Sequence, residues 1–167
     1  MNKGIGLLSG LASLFAMVSA QAACPGNYPM VNAGTNEDTG HVFEVYKADG
    51  ISWADASDCA ESLSVGDANT PGHLATITSS SENQWVIDEL LTPALLDETL
   101  THSQVWVGGV QDVLATTLGG GWRWVNNEGP FSGSNGNADY TNWAGSEPND
   151  GDGIENGQEN HLTLGRY

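Results

Sequence analysis

The sequence YTNWAGSEPND, residues 140–150, lies within a long stretch, residues 126–157, that shows neither helical nor strand periodicity. Asn, Gly, Asp and Ser dominate this stretch, and Tyr140 and Trp143 stand in it as isolated aromatic residues. Loops of this length without secondary structure of their own are uncommon in compact domains and are usually functional or disordered. We therefore predict one long polar loop, held in place by aromatic side chains.

Oxygen-bearing side chains are concentrated in this loop. The run Glu147-Pro148-Asn149-Asp150 is followed by Glu155, Glu159 and Asn160. Carboxylate and amide oxygens suit a hard cation such as calcium, which takes about 6–8 oxygen ligands, and no Cys/His cluster suggests zinc. The same residue types also form ordinary solvated turns. These residues alone therefore leave a calcium site and a plain acidic turn both open.

Short apolar or alternating stretches on either side of the loop predict β-strands, because side chains alternate between the two faces of a strand. These stretches are 41–46, 73–77, 105–109, 122–125 and 160–164.

Two capping patterns predict helices. Ser52 with Asp55, and Ser79 with Glu82, have the spacing at which side chains satisfy the free amides of a first helical turn. The first helix is expected to end near Gly66, and the second to end before Pro93. Two short helices, several short strands and one long loop together predict an α+β fold.

The first 22 residues predict a secretory signal peptide. Lys3 is followed by an apolar run from Ile5 to Val18 and by the small-x-small cleavage signal Ala20-Gln21-Ala22. A membrane anchor is the alternative, but the run is short for a span of about 20 apolar residues. We expect a secreted or cell-surface protein with a flexible lead-in at residues 23–40 and one domain at residues 41–167.

Charge and motifs exclude several functions. The chain has 21 acidic and 4 basic residues, a formal net charge of -17, so it has no basic stripe to displace counterions from nucleic acid. It contains no G-x-S-x-G, P-loop or H-E-x-x-H motif. We therefore predict a protein that is not an enzyme and does not bind nucleic acid.

Two cysteines, Cys24 and Cys59, remain after signal cleavage. In an oxidising compartment they could pair, which would stabilise the fold by about 3–4 kcal/mol in the chain-entropy model. One buried thiol and one terminal thiol are the alternative, and the residues alone do not separate the two.

The order of these motifs resembles the C-type lectin-like domain, in the style of secreted bacterial members. The matching motifs are the first helix with Gly72-His73-Leu74-Ala75-Thr76-Ile77, the core strand Trp106-Val107-Gly108, and Tyr140-Thr141-Asn142-Trp143 leading into Glu147-Pro148-Asn149. The resemblance extends from about His41 to Tyr167.

This resemblance implies a calcium-dependent site for carbohydrate of the mannose or glucose type. It places Glu147, Asn149 and Glu159 as ligands of both calcium and sugar, with Pro148 in the cis form, and Asp150 as a ligand of an auxiliary calcium site that shares Glu159. Asn160, next to Glu159, is a further candidate metal ligand. The loop is longer than is usual in the family, so Glu155 is an alternative to Glu159 for the position of the later glutamate ligand.

Two departures from the family pattern bear on this expectation. The family completes its calcium site with a W-N-D motif on a later strand, and the sequence stops at Tyr167 before it, so we expect a C-terminally incomplete domain. Ala60 occupies the position of the family's helix cysteine, one residue after Cys59. The alternative function is a calcium-independent module for protein contact or adhesion on the same fold.

Overall fold

A computed structural model of the protein describes residues 28–64, 70–91, 104–128, 131 and 140–165. The predicted signal peptide and Cys24 lie outside these residues. The elements are β1 (Met30–Thr35), β2 (Val42–Tyr46), α1 (Trp53–Ser62), α2 (Ser80–Trp85) with a π-helical turn (Val86–Leu90), β3 (Gln104–Gln111), β4 (Trp122–Trp124) and β5 (His161–Gly165). The predicted α+β fold is confirmed, with two short helices and two small antiparallel sheets.

The first sheet is a hairpin of β1 and β2, and β1 lies inside the predicted flexible lead-in. The sequence gives no alternating pattern there, and the strand shows a register shift between Met30 and Asn32. Its order comes from tertiary contacts. Asn32 Nδ2 donates to the carbonyls of Glu89 (2.9 Å) and Leu90 (3.1 Å), and β2 supplies the backbone partners. Strand formation of this kind depends on neighbours more than on intrinsic propensity.

Helix α1 confirms the first capping prediction. Ser52 is the N-cap, and its hydroxyl accepts a hydrogen bond from the backbone N–H of Asp55 (3.1 Å). The same hydroxyl donates to the Asp55 carboxylate (2.7 Å). The helix ends at Ser62, before the predicted end. Cys59 is buried on this helix and is disulfide-bonded. The sequence contains one other cysteine, Cys24.

Helix α2 begins at the second capping pattern, with the Ser79 hydroxyl accepting from the backbone N–H of Glu82 (3.2 Å). The Glu82 carboxylate is fully buried and reaches back to the residue before the N-cap. It accepts from the backbone N–H of Thr78 (2.9 Å), lies 2.8 Å from Nδ1 of His41, and accepts weakly from the Thr39 hydroxyl (3.4 Å). Glu82 therefore links α2 to the turn between β1 and β2.

The second sheet has the order β4-β3-β5 and carries the core. Val107, Trp122 and Trp124 are almost fully buried, and they join the apolar cluster that includes Phe43, Ile77, Val86, Leu90, Leu91 and Phe131. The strands predicted around β3, β4 and β5 are confirmed.

The strand predicted at residues 73–77 is wrong. This segment approaches β3 through one backbone bond, from the N–H of Gly108 to the carbonyl of Ala75 (2.9 Å). A Cβ on Gly108 would lie 2.7 Å from the Leu74 carbonyl oxygen, so this close approach needs glycine. Residues 73–77 therefore lie beside β3 without joining the sheet, and their burial increases from His73 to Ile77 without alternating.

No helix among the described residues is long and apolar enough to cross a membrane.

Candidate functional site

A cleft of about 440 Å³ brings the predicted site residues together. Glu147, Asn149, Asp150, Glu159 and Asn160 all contribute to its lining. Much of the remaining lining comes from core aromatics (Trp122, Trp124, Phe131), from the long loop (Tyr140–Ala144) and from β3 and β5 (Gln104, Trp106, His161–Gly165).

The loop is fixed to the core by Trp143. Its ring makes an edge contact with Trp122 at 5.1 Å between centroids and lies 6.0 Å from Phe131. Edge-to-face pairs of this kind stabilise a fold beyond the area that they bury. Tyr140 is half-buried beside them, and burial raises the pKa of its hydroxyl. The predicted role of aromatic residues as loop anchors is confirmed for Trp143.

Glu147 and Asn149 form a contacting pair. The Glu147–Pro148 peptide bond is cis, the form that the resemblance implies. Asn149 Nδ2 donates to Oε1 of Glu147 (2.8 Å), and the Asn149 backbone N–H donates to Oε2 (3.1 Å). The turn before them is closed by a bond from the Glu147 N–H to the Ala144 carbonyl (2.9 Å). An acidic acceptor and an amide group therefore stand side by side in the lining of the cleft.

Asp150 organises the rest of the loop. Its side chain is 3% exposed and its φ is 51°, a left-handed value that aspartate tolerates. One carboxylate oxygen accepts from the backbone N–H groups of Asn156 (2.5 Å) and Gly157 (2.8 Å), and the other accepts from that of Glu159 (2.5 Å). Burial alone would raise the pKa of Asp150, but these backbone donors together lower it below its usual value.

The two remaining loop glutamates have different surroundings. Glu155 is half-buried, and its Oε2 accepts from Nε2 of Gln111 (2.8 Å). Glu159 is exposed, and its carboxylate accepts no hydrogen bond from the residues that the structure describes. A Cβ on Gly151 would lie 3.9 Å from the Glu159 carboxyl carbon, so Glu159 adjoins the turn that follows Asn149.

Asn160 opens β5, where its carbonyl accepts from the backbone N–H of Gln111 (2.9 Å). The ring of the next residue, His161, lies 4.4 Å from that of Trp53 between centroids, at a tilt of 36°, and burial lowers the pKa of His161. Neither the Trp53–His161 pair nor the role of Gln111 is predicted by the sequence. These contacts link positions far apart in the chain, so local patterns carry no signal for them.

The donor chemistry at the cleft fits calcium. Glu147 and Glu159 offer carboxylate oxygens, and Asn149 and Asn160 offer amide oxygens, which are the hard ligands that calcium takes. Calcium accepts about 6–8 oxygens, and a carboxylate can bind it through one oxygen or two. Where Glu147 or Glu159 binds through a single oxygen, positions remain for water, backbone carbonyls or ligand hydroxyls. Within the described ranges, no three His, Cys, Asp or Glu side chains are grouped closely enough to hold a metal by themselves.

Comparison with known proteins identifies relatives along most of the chain. It is 28% identical over 138 residues to the perlucin-like protein of Mytilus galloprovincialis, covering 81% of this chain and 71% of that protein. It is 27% identical over 156 residues to lectin BRA-3 of Megabalanus rosa, covering 92% and 75%. These relatives support a lectin-like domain. They do not bear out the narrower resemblance to bacterial members.

A third relative, halomucin of Haloquadratum walsbyi, is 31% identical over 122 residues, which are 66% of this chain and 1% of that protein. No protein-family model matches the chain. No solved structure matches it significantly.

Proposed function

We propose that the protein is a secreted, calcium-dependent module that binds carbohydrate at the Glu147–Asn149 turn. The observation that carries this proposal is the Glu147–Asn149 pair, joined at 2.8 Å in the lining of a cleft that also contains Glu159 and Asn160. Similarity to lectin BRA-3 along most of the chain supports the same conclusion.

In this proposal Glu147, Asn149, Glu159 and Asn160 hold the cation. When bound, calcium supplies coordination positions for two neighbouring sugar hydroxyls. The side chains of the protein bind the same sugar hydroxyls through hydrogen bonds. A carboxylate accepts a hydroxyl proton, an amide N–H donates to a hydroxyl oxygen, and each sugar hydroxyl can do both. Asp150, an auxiliary ligand in the sequence prediction, contributes here by holding the loop through backbone amides.

Retention on mannose-agarose, with and without EDTA, tests the proposal. We expect the secreted protein to be retained in calcium and released by EDTA. Retention that survives EDTA would favour the alternative, a calcium-independent interaction module. Absence of retention on mannose in calcium would contradict mannose-type binding.

Sugar preference provides a sharper test. The double substitution Glu147→Gln and Asn149→Asp exchanges the positions of the carboxylate and the amide. It should shift the sugar preference from mannose towards galactose by about tenfold. The reason is that a site matched to one arrangement of sugar hydroxyls leaves polar groups unpaired when it meets another arrangement. The measurement is competitive elution with the two free sugars.

The matched control is Asn127→Asp with Glu128→Gln, which makes the same two chemical changes at exposed positions outside the cleft lining. An unchanged sugar preference in the Glu147/Asn149 variant would exclude this turn as the element that sets specificity.

A further inference from the structure

Gln111, the last residue of β3, has an unusual oxygen-rich environment. Its side chain is buried, and Nε2 lies 2.8 Å from Oε2 of Glu155 and 2.9 Å from the carbonyl of Gly120. The carbonyls of Leu118 (3.1 Å) and Thr117 (3.3 Å) lie slightly farther away. An amide NH₂ group has two protons, so the two shortest contacts are its best bonds. Gln111 thereby ties the long loop to the turn between β3 and β4.

The backbone of Gln111 holds the same loop at a second point. Its N–H donates to the carbonyl of Asn160 (2.9 Å). Glu155 and Asn160 are therefore both fixed to one residue of the central strand, and Glu159 lies between them in the sequence. The amides of Asn156, Gly157 and Glu159 are bound by Asp150, so the whole segment is held by groups of the protein itself.

This arrangement separates the two glutamates that the sequence left in competition. The Glu155 carboxylate is engaged by a buried donor, whereas that of Glu159 accepts no hydrogen bond from the described part of the chain and stands beside the turn after Asn149. Glu159 also contributes to the lining of the cleft beside Glu147 and Asn149, whereas Glu155 is not among the lining residues.

We propose that Gln111 is a positioning residue for the calcium and sugar site. This inference rests on the proposed function. By binding Glu155 it keeps that carboxylate out of the ligand set and leaves Glu159 as the ligand. It also holds the loop in its binding conformation before a cation arrives. Loss of this tether lowers the fraction of molecules that are competent to bind, and the apparent affinity falls by the same fraction.

The test uses Gln111→Ala in the whole chain, with two measurements. Amide hydrogen exchange across residues 149–160 in EDTA reports the loop without any cation, and calorimetric titration with calcium chloride reports the site. We expect exchange about tenfold faster and a calcium Kd weakened about 5- to 10-fold. Gln84→Ala is the matched control, since Gln84 is exposed and donates to the Asp88 carboxylate (2.9 Å) away from the loop. It should change neither quantity.

Variants of Glu155 and Glu159 distinguish a residue that holds the loop from a residue that binds calcium. Glu155→Ala should behave like Gln111→Ala, which keeps the test informative if the Gln111 variant does not fold. Glu155→Gln retains an acceptor oxygen and should restore both measurements to within about twofold of the wild type. Glu159→Gln should weaken calcium binding and leave exchange in EDTA unchanged.

Two results would overturn this assignment. One is exchange in EDTA that is the same in Gln111→Ala and the wild type. The other is loss of calcium binding in Glu155→Gln as large as in Glu159→Gln, which would make Glu155 a ligand. A wild-type chain that binds no calcium would instead refute the proposed function, while the exchange comparison would still decide whether Gln111 holds the loop.

Discussion

Glu82 in the body of the domain and Asp150 in the long loop are both buried carboxylates, with 0% and 3% of their surfaces exposed. Their partners differ in origin. Glu82 is bound by Thr78 from its own helix start and by His41, 41 residues away in the sequence. Asp150 is bound by backbone amides that lie 6, 7 and 9 residues further along its own loop.

The difference shows what each carboxylate stabilises. Glu82 joins separate elements, so removing it affects contacts between segments that lie far apart in the sequence. Asp150 closes one loop upon itself, so removing it affects a local equilibrium that opens without unfolding the core. A substitution at Glu82 should therefore change the free energy of unfolding of the whole domain, and one at Asp150 should change only the local opening of the long loop.

Glu82→Ala should have the largest effect. The substitution leaves the part-buried Thr78 N–H without its acceptor and removes the partner of His41, and it should lower the free energy of unfolding by about 3 kcal/mol. Urea unfolding followed by tryptophan fluorescence measures this. Glu89→Ala, at an exposed position of the π-helical turn, should stay within about 0.5 kcal/mol of the wild type. An equal loss in both variants would show that the Glu82 network contributes no more than an ordinary surface residue.

Asp150→Asn should have a smaller, local effect. Asparagine presents an NH₂ group towards backbone donors that now meet a carboxylate oxygen, so at least one of these bonds is lost. Amide exchange at Asn156, Gly157 and Glu159 should accelerate about tenfold, with the urea midpoint almost unchanged. A large fall of the urea midpoint would refute the separation of loop and body.

Ionisation of Tyr46, at the end of β2, should have the smallest effect on stability, and it does not involve the long loop. Burial, the hydrogen bond to Glu44 (2.7 Å) and the Glu44 charge raise the pKa of Tyr46 from 10.0 to about 12. The unfolded chain loses this proton at lower pH than the folded chain. The stabilisation is therefore complete below pH 10 and falls as the pH rises towards 12.

Tyrosinate absorbance during a pH titration measures this shift. Tyr46→Phe should remove the latest tyrosine step, and Glu44→Gln should move that step to lower pH. A late step that persists in Tyr46→Phe would assign the raised pKa to another tyrosine.

Local patterns predicted the elements whose stabilising contacts are local. The Ser52 and Ser79 caps predicted both helix starts, and the apolar run around Val107 predicted the central strand. Two errors have one cause. β1 depends on β2 and on the bonds from Asn32 to the π-helical turn, and residues 73–77 contact β3 through the Ala75 carbonyl without forming a strand. Neither partner can be seen in the segment itself.

In the candidate site too, some residues can be predicted from local patterns and others depend on contacts with distant parts of the chain. The residues that supply oxygen atoms could be named from a short motif, and the structure brings Glu147, Asn149, Glu159 and Asn160 into one cleft. Gln111 could not be named, because its amide joins the adjacent turn, 6 to 9 residues away, to Glu155, which lies 44 residues away. Sequence reasoning finds ligand chemistry more readily than the contacts that position it.

The bond from Asn32 to the end of the π-helical turn has a practical consequence for producing the isolated domain. A recombinant protein that begins at His41, where the alternating pattern starts, would lack β1 and leave the carbonyls of Glu89 and Leu90 without their side-chain donor. The exposed edge of β2 would then be open to pairing with a second molecule. Expression should therefore start before Met30, and a purification tag is better placed ahead of that residue than in place of the hairpin.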